Sequence, residues 1–284
     1  MKIEPFFDER TSTLTYLVWD EKTRDAVVID PVLDFDPQGG RLWTESVDAV
    51  AAAIEREKLT LHLVLETHAH ADHLSGSQSL ARRFGAKVAV SHRITEVQQT
   101  FRDIFGWSAF PADGRQFDRL LQDDEAVHAG SLSFTAVPTP GHTPACMSFR
   151  FGSDVFTGDA LFLDDVGVGR CDFPGGNANA LYESVTTRLF TLPEDTILWV
   201  GHDYPPAGRT WRASTTVGAA RKANAQLPAT ITRPDFVERR TARDRSLTVP
   251  RLLYPSLQVN IAAGRLPEPE ANGRRYLKIP LSGL

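Results

Sequence analysis

The sequence predicts an α/β protein of the α+β kind: two sheets packed face to face with helices on the outside. Three observations carry this. Short apolar runs bounded by turn residues recur from residue 14 to residue 200. Segments with helical spacing interrupt them only in places, giving strand, helix, strand and then further strands, an order suited to two packed sheets with flanking helices. The length of 284 residues allows one large domain or a domain with an appendage.

Residues 14–19 (Leu-Thr-Tyr-Leu-Val-Trp) and 26–31 (Ala-Val-Val-Ile-Asp-Pro) flank a polar turn and read as a hairpin. Residues 46–56 have helical spacing, with Thr44 or Ser46 as the expected cap. A strand follows at 61–66, then a helix at 77–84 stopped by Gly85, then a short strand at 87–90. Residues 131–137, 147–151, 154–157 and 197–200 read as strands. Residues 91–119, with Phe101, Phe105, Trp107 and Phe110, read as helix packing, with a site cover or a subunit contact as alternatives. From about residue 212 the pattern changes: 212–224 and 235–245 look helical, and the tail is rich in proline. The expected division is therefore a domain over 1–211 and a helical or irregular extension over 212–284, packed on the same domain.

An apolar content of 42% with 24% charged residues is ordinary for a soluble globular chain. A net charge of -5 leaves no basic footprint, so nucleic acid is not an expected partner. The arginines from Arg239 and Arg240 to Arg245 sit among acids and read as a solvated helix face. Cys146 and Cys171 are the only cysteines, which fits a reducing compartment rather than a disulfide framework. No apolar stretch approaches the roughly 20 residues that span a bilayer, and the acidic start lacks a signal-peptide core. The expected location is cytoplasmic, with no membrane partner.

The chemistry is concentrated in Thr67-His68-Ala69-His70-Ala71-Asp72-His73, a H-x-H-x-D-H motif directly after the strand at 61–66. Imidazole and carboxylate together suit a borderline divalent metal. Three further fragments stand just past apolar strands: Pro140-Gly141-His142-Thr143-Pro144, Thr157-Gly158-Asp159 and Gly201-His202-Asp203. Loops at strand ends are where a rigid sheet converges side chains on one point. His142, Asp159 or His202 alone reads as a loop residue; their joint arrival with the upstream motif points to a metal site. His62, His92 and His128 lack companions and read as ordinary residues.

These residues, in this order, resemble the metallo-β-lactamase superfamily over the chain to about residue 210. The resemblance implies the αββα sandwich, two mixed sheets with flanking helices, with its site at one edge. It also implies one metal position from His68, His70 and His142, and a second from Asp72, His73 and His202, bridged by Asp159. Further segments narrow the family: Asp30-Pro31-Val32-Leu33-Asp34-Phe35-Asp36, Gly169-Arg170-Cys171-Asp172-Phe173-Pro174-Gly175-Gly176, His202-Asp203-Tyr204, Pro255-Ser256-Leu257-Gln258-Val259-Asn260 and Tyr276-Leu277-Lys278-Ile279-Pro280. Together they look like the bacterial persulfide dioxygenases of hydrogen-sulfide detoxification.

That resemblance implies one Fe(II) per chain held by His68, His142 and Asp159, the two-His, one-carboxylate set of non-haem oxygenases. Zinc is the alternative metal. His70, Asp72, His73 and His202 become outer residues that orient ligands and water, or ligands of a second metal. The implied reaction joins glutathione persulfide and O2 to give sulfite and glutathione, and similar proteins tend to be homodimers. Arg170 is the expected anion-binding group, its alternative being an ion pair with Asp172. Tyr204 is the expected phenolic donor to substrate or to a metal ligand, its alternative being a half-buried packing residue. Cys171 reads as an inert or regulatory thiol. Some family members carry a cysteine two residues before the arginine, where this chain has Val168. Competing readings are a binuclear zinc glutathione-thioester hydrolase of the glyoxalase II type, in which metal-bound hydroxide attacks a thioester, and a metal-binding or sensory protein without turnover.

Overall fold

The computed structural model describes residues 1–281. Along the chain run β1 (Lys2–Asp8), β2 (Thr13–Trp19), β3 (Asp25–Ile29), β4 (Val32–Asp36), β5 (Arg41–Trp43), α1 (Glu45–Arg56), β6 (Thr60–Leu65), β7 (Leu74–Ser75), α2 (Ser77–Phe84), β8 (Lys87–Ser91), α3 (Ile94–Phe105) and β9 (Arg119–Leu121). Then follow β10 (Glu125–Ala129), β11 (Leu132–Pro138), β12 (Met147–Phe151), β13 (Asp154–Gly158), α4 (Ala178–Ser184), β14 (Ile197–Val200), β15 (Ser214–Thr216), α5 (Val217–Ala223), α6 (Arg233–Arg245) and α7 (Leu253–Asn260). A π-helical turn over Val185–Leu189 extends α4.

Two six-stranded sheets form, in the orders β1-β2-β3-β6-β8-β9 and β10-β11-β12-β13-β14-β15, with a small sheet β5-β4-β7 beside them. Both large sheets are mixed: β3, β6, β8 and β9 run parallel, as do β13 and β14. The central strands read as near-continuous apolar runs because both of their faces are covered. Tyr16, Val27, Ile29 and Leu65 of the first sheet meet Phe134, Phe149, Phe156 and Val200 of the second in the core between them. Leu17, Val28 and Val64 point the other way and pack on Val50 and Ile54 of α1 and Leu80 of α2. On the outer face of the second sheet, Val155 and Leu198 pack against Leu181 of α4, Val217 of α5 and Phe236 of α6. This is the expected sandwich. Among the described residues, no helix is long and apolar enough to cross a membrane.

Three local expectations need correction. Thr44 occupies the N-cap position of α1 but makes no side-chain cap bond; its hydroxyl donates to Asp48 (2.7 Å), and the Ser46 hydroxyl donates to Asp34 (2.9 Å). Nearby carboxylates have outcompeted the backbone for both hydroxyls. The stretch expected as helix from 212 begins instead as β15, which pairs antiparallel with β14. Ser214-Thr215-Thr216 contains two β-branched residues, which favour a strand, and Thr216 then caps α5 by accepting from the Ala219 N–H (3.2 Å). Finally, Arg240 is not on a solvated face. It is 3% exposed and pairs at 2.5 Å with Asp244 one turn on. Within the segment 91–119, α3 packs as a helix, with Phe101 and Phe105 buried beside Phe173 and Leu257.

Candidate metal centre

All seven ligand-type residues sit in loops that leave the C-terminal ends of strands. The loop after β6 carries His68, His70, Asp72 and His73, while the loops after β11, β13 and β14 carry His142, Asp159 and His202. Two glycines permit the convergence. Gly141 has φ 146°, and a Cβ there would lie 2.4 Å from the Leu181 backbone, so α4 packs directly on the turn before His142. Gly158 has φ 49°, and a Cβ there would meet the Thr67 hydroxyl at 2.6 Å.

Ligand-type atoms of His68, His142 and Asp159 lie within 4.8 Å of one another, and His70, Asp72 and His73 form a second such group. The Asp159 Oδ2 is 4.0 Å from His68 Nε2 and 3.6 Å from His142 Nε2. His202 Nε2 stands 3.4 Å from both Asp72 and Asp159 and joins the two groups. Each imidazole has one nitrogen engaged by the protein. His68 Nδ1 donates to the Thr67 hydroxyl (3.0 Å), His142 Nδ1 to the Arg170 carbonyl (2.7 Å), His202 Nδ1 to the Ser12 carbonyl (3.0 Å) and His70 Nε2 to Asp30 (3.0 Å). That leaves His68 Nε2, His70 Nδ1, His73 Nε2 and Asp159 Oδ1 buried without a hydrogen-bond partner. Buried polar atoms are rarely left so. Unpartnered ligand-type atoms gathered in these two groups are what bound cations satisfy, and metal-ligating histidines are oriented through their other nitrogen in this way. The residues therefore fit a metal ion.

Electrostatics separates the histidines. Burial, reinforced by His70 and His142, holds the His68 pKa well below its ordinary value, so it presents a neutral lone pair. Burial opposes charge on His70 too, but Asp30 and Glu66 outweigh it and raise its pKa well above the ordinary value. Burial likewise works against Asp72, and His202 and His73 overcome it, keeping that carboxyl well below the usual range.

A cavity of about 350 Å³ opens over the cluster, lined by Asp72, His142, Asp159, His202, Arg170, Tyr204 and apolar groups including Phe162, Val168 and Leu247. Arg170 reaches this cleft, but its guanidinium is already bidentate on Asp172 (2.6 and 2.6 Å) and donates to the Thr248 carbonyl (2.8 Å). Tyr204 is half exposed and stacks on the His202 ring at 5.6 Å. Cys171 is buried, and its thiol is pushed up to about 12, first by desolvation and then by Asp244.

Several supporting residues escaped the sequence reading. Asp30 (φ 49°) accepts from the Thr67 N–H and hydroxyl (both 2.7 Å) as well as from His70. Glu66 accepts from the hydroxyls of Ser75 and Ser77 and lies 3.3 Å from His70. Asp203, fully buried after His202, is clamped by Arg209 (2.8 and 2.6 Å). Asp30 and Asp203 stand in segments that carry the family resemblance, while Glu66 shows in the sequence only as an acid at the end of an apolar run.

The sequence profile of the metallo-beta-lactamase superfamily matches residues 8–202. The chain belongs to that superfamily. A beta-lactamase hydrolase-like protein of Xylella fastidiosa is 45% identical over the whole chain, which spans 65% of that protein's length. A probable metallo-hydrolase of Burkholderia pseudomallei is 44% identical, with both chains covered fully. The human mitochondrial persulfide dioxygenase ETHE1 is 33% identical over 71% of this chain and 68% of its own. The crystal structure of ETHE1 from Myxococcus xanthus superposes with a TM-score of 0.75 at 34% identity, covering 93% of this chain and all of that one. The fold, the His/Asp cluster and this kinship support a metal-dependent enzyme.

Proposed function

We propose that the protein is a non-haem iron persulfide dioxygenase that converts glutathione persulfide and O2 to sulfite and glutathione, with His68, His142 and Asp159 holding the iron. The observation that carries this reading is the compact His68, His142 and Asp159 group, whose two imidazoles are each tied through Nδ1 and turn Nε2 toward the carboxylate. Similarity to the two ETHE1 proteins supports it. Ferrous iron in a two-His, one-carboxylate site supplies redox chemistry between dioxygen and a sulfur anion. The sulfane sulfur loses four electrons to O2 while water completes sulfite, and the inner sulfur departs as glutathione thiol.

The chain's own residues do the rest. The Thr67 hydroxyl and the Arg170 carbonyl fix the tautomers of His68 and His142. Phe162, Val166, Val168 and Leu247 give the cleft dry walls that keep bulk water from the reacting sulfur. The Tyr204 phenol stands at the mouth, within the cleft lining, as a donor to the substrate. Arg170 recruits a substrate carboxylate only by sharing its guanidinium with Asp172.

A second reading, a binuclear zinc thioesterase, is favoured by one observation. His70, Asp72 and His73 form a second ligand-type group, with His73 Nε2 unpartnered. The names of the bacterial relatives point the same way. Parallel assays separate the two. Iron-loaded protein is given glutathione persulfide, zinc-loaded protein is given S-lactoylglutathione, and sulfite and free thiol are measured. The dioxygenase reading expects sulfite from the first and no hydrolysis in the second; the reverse pattern replaces it with the thioesterase.

A further inference from the structure

The loop that carries His70, Asp72 and His73 is held from outside the matched superfamily domain, by one side chain of α7. Asn260 is 5% exposed and saturates three bonds to this loop. Its Nδ2 donates to the carbonyls of His70 and His73 (both 2.8 Å), and its Oδ1 accepts from the Ser75 N–H (2.8 Å). The amide therefore spans the turn from His70 to Ser75 like a staple, with Asp72 presented between its legs. On the opposite side, Asp30 and Glu66 grip the His70 ring. Residue 260 lies beyond the span 8–202.

We propose that Asn260 is a positioning residue of the metal centre: it sets the backbone turn that aims His70, Asp72 and His73, and so sets metal affinity and coordination without touching the metal. An amide is the side chain the site demands. It offers two donors to two carbonyls and an acceptor to one N–H, whereas a carboxylate of the same shape keeps only the last bond and faces both carbonyls with negative charge. Burial raises the penalty for that mismatch. The inference rests on the cluster being a metal site: in the one-iron reading His70 and Asp72 flank the ligands, the His70 ring lying 4.1 Å from that of His68 and Asp72 being linked to Asp159 through His202, and in the two-zinc reading they are ligands themselves.

A structural role in docking the tail is the competing explanation, and the same helix contains its control. Gln258 donates to the Lys278 carbonyl (2.8 Å) and accepts from the Lys278 N–H (2.7 Å), which fastens the tail. The experiment is a cobalt(II) titration of metal-stripped protein, reading visible absorption and chelator competition, with apo-protein melting temperatures alongside. Asn260→Asp, which keeps the volume, and Asn260→Ala are expected to weaken cobalt binding by about tenfold or more, the range for groups that orient ligands, and to alter the cobalt spectrum. Gln258→Ala is expected to lower the melting temperature and leave affinity and spectrum unchanged. Asn260→Asp with wild-type affinity and spectrum overturns the proposal, as does a Gln258→Ala loss equal to that of Asn260→Asp. If Asn260→Ala fails to fold, the isosteric aspartate variant decides. Cobalt binding needs neither O2 nor persulfide, so an inactive dioxygenase with intact cobalt behaviour refutes the proposed function and leaves this one standing.

Discussion

Replacing Arg240 by alanine isolates a buried ion pair outside the metal cluster. Arg240 and Asp244 are 3% and 5% exposed and pair at 2.5 Å, and the same guanidinium donates to Gln226. Asp244 also accepts from the Cys171 N–H (2.9 Å), and the residue before Cys171 supplies the carbonyl that orients His142. Arg240→Ala strands a buried carboxylate, which costs about 3–5 kcal/mol. At about 2–4 °C per kcal/mol for a chain this large, the melting temperature falls by about 6–20 °C. Both variants deprive the Gln226 Oε1 and the Val168 carbonyl of the Arg240 donor; beyond that shared loss, Arg240→Met with Asp244→Leu removes both charges and adds an unpartnered Cys171 N–H, a further cost of about 1–3 kcal/mol. The double variant is thus more stable than Arg240→Ala. Differential scanning calorimetry of the three proteins with matched metal loading reads both effects. A shift below about 2 °C in Arg240→Ala, or a double variant less stable than the single one, refutes the reasoning.

Other expectations concern the site itself. His68→Ala, His142→Ala and Asp159→Ala each lose bound iron and turnover together, with circular dichroism unchanged; full iron in His142→Ala contradicts the ligand set. Arg170→Ala keeps its iron, because His142 bonds the residue 170 carbonyl rather than the side chain, and it weakens persulfide turnover; unchanged kinetics return Arg170 to its pair with Asp172. Cys146 and Cys171 thiols are raised to about 12 by burial, so about one in 10⁴ is thiolate at pH 8 and alkylation of the folded protein is slow, rising about tenfold per pH unit. Rapid stoichiometric labelling by iodoacetamide at pH 8 contradicts this. Gly141→Ala drives a methyl into the Leu181 backbone and costs about 1–3 kcal/mol, with reduced iron content measured by elemental analysis.

Elements with strong local punctuation were legible from sequence. The helix Ser77–Phe84 ends at Gly85, whose φ of 69° is the left-handed stop that glycine supplies. Met147–Phe151 and Ile197–Val200 are strands at the expected bounds. The candidate ligands were legible as a group because a short list of residue types recurs just past strand ends, and the structure brings all seven together. The framework behind them was not legible. Asp30 and Asn260 stand in segments that carry the family resemblance, but nothing in those segments gives their roles, which arise from partners far away in sequence; Asn260 bonds His70 across 190 positions. Glu66 reads only as an acid at the end of an apolar run. Arg240 reads as solvated because it sits in a run of arginines among acids; Arg239 and Arg243 are exposed, but the packing of α6 over the 168–171 loop buries Arg240.

The central claim, iron-dependent oxidation of a persulfide at His68, His142 and Asp159, is tested most directly by oxygen consumption. Anaerobically iron-loaded protein is mixed with glutathione persulfide in an oxygen-electrode cell, and sulfite is assayed in the same sample, with Asp159→Ala alongside. Sulfite formed mole for mole with O2 consumed, and absent in Asp159→Ala, is the result the account predicts. No oxygen uptake by protein whose iron content is confirmed contradicts it.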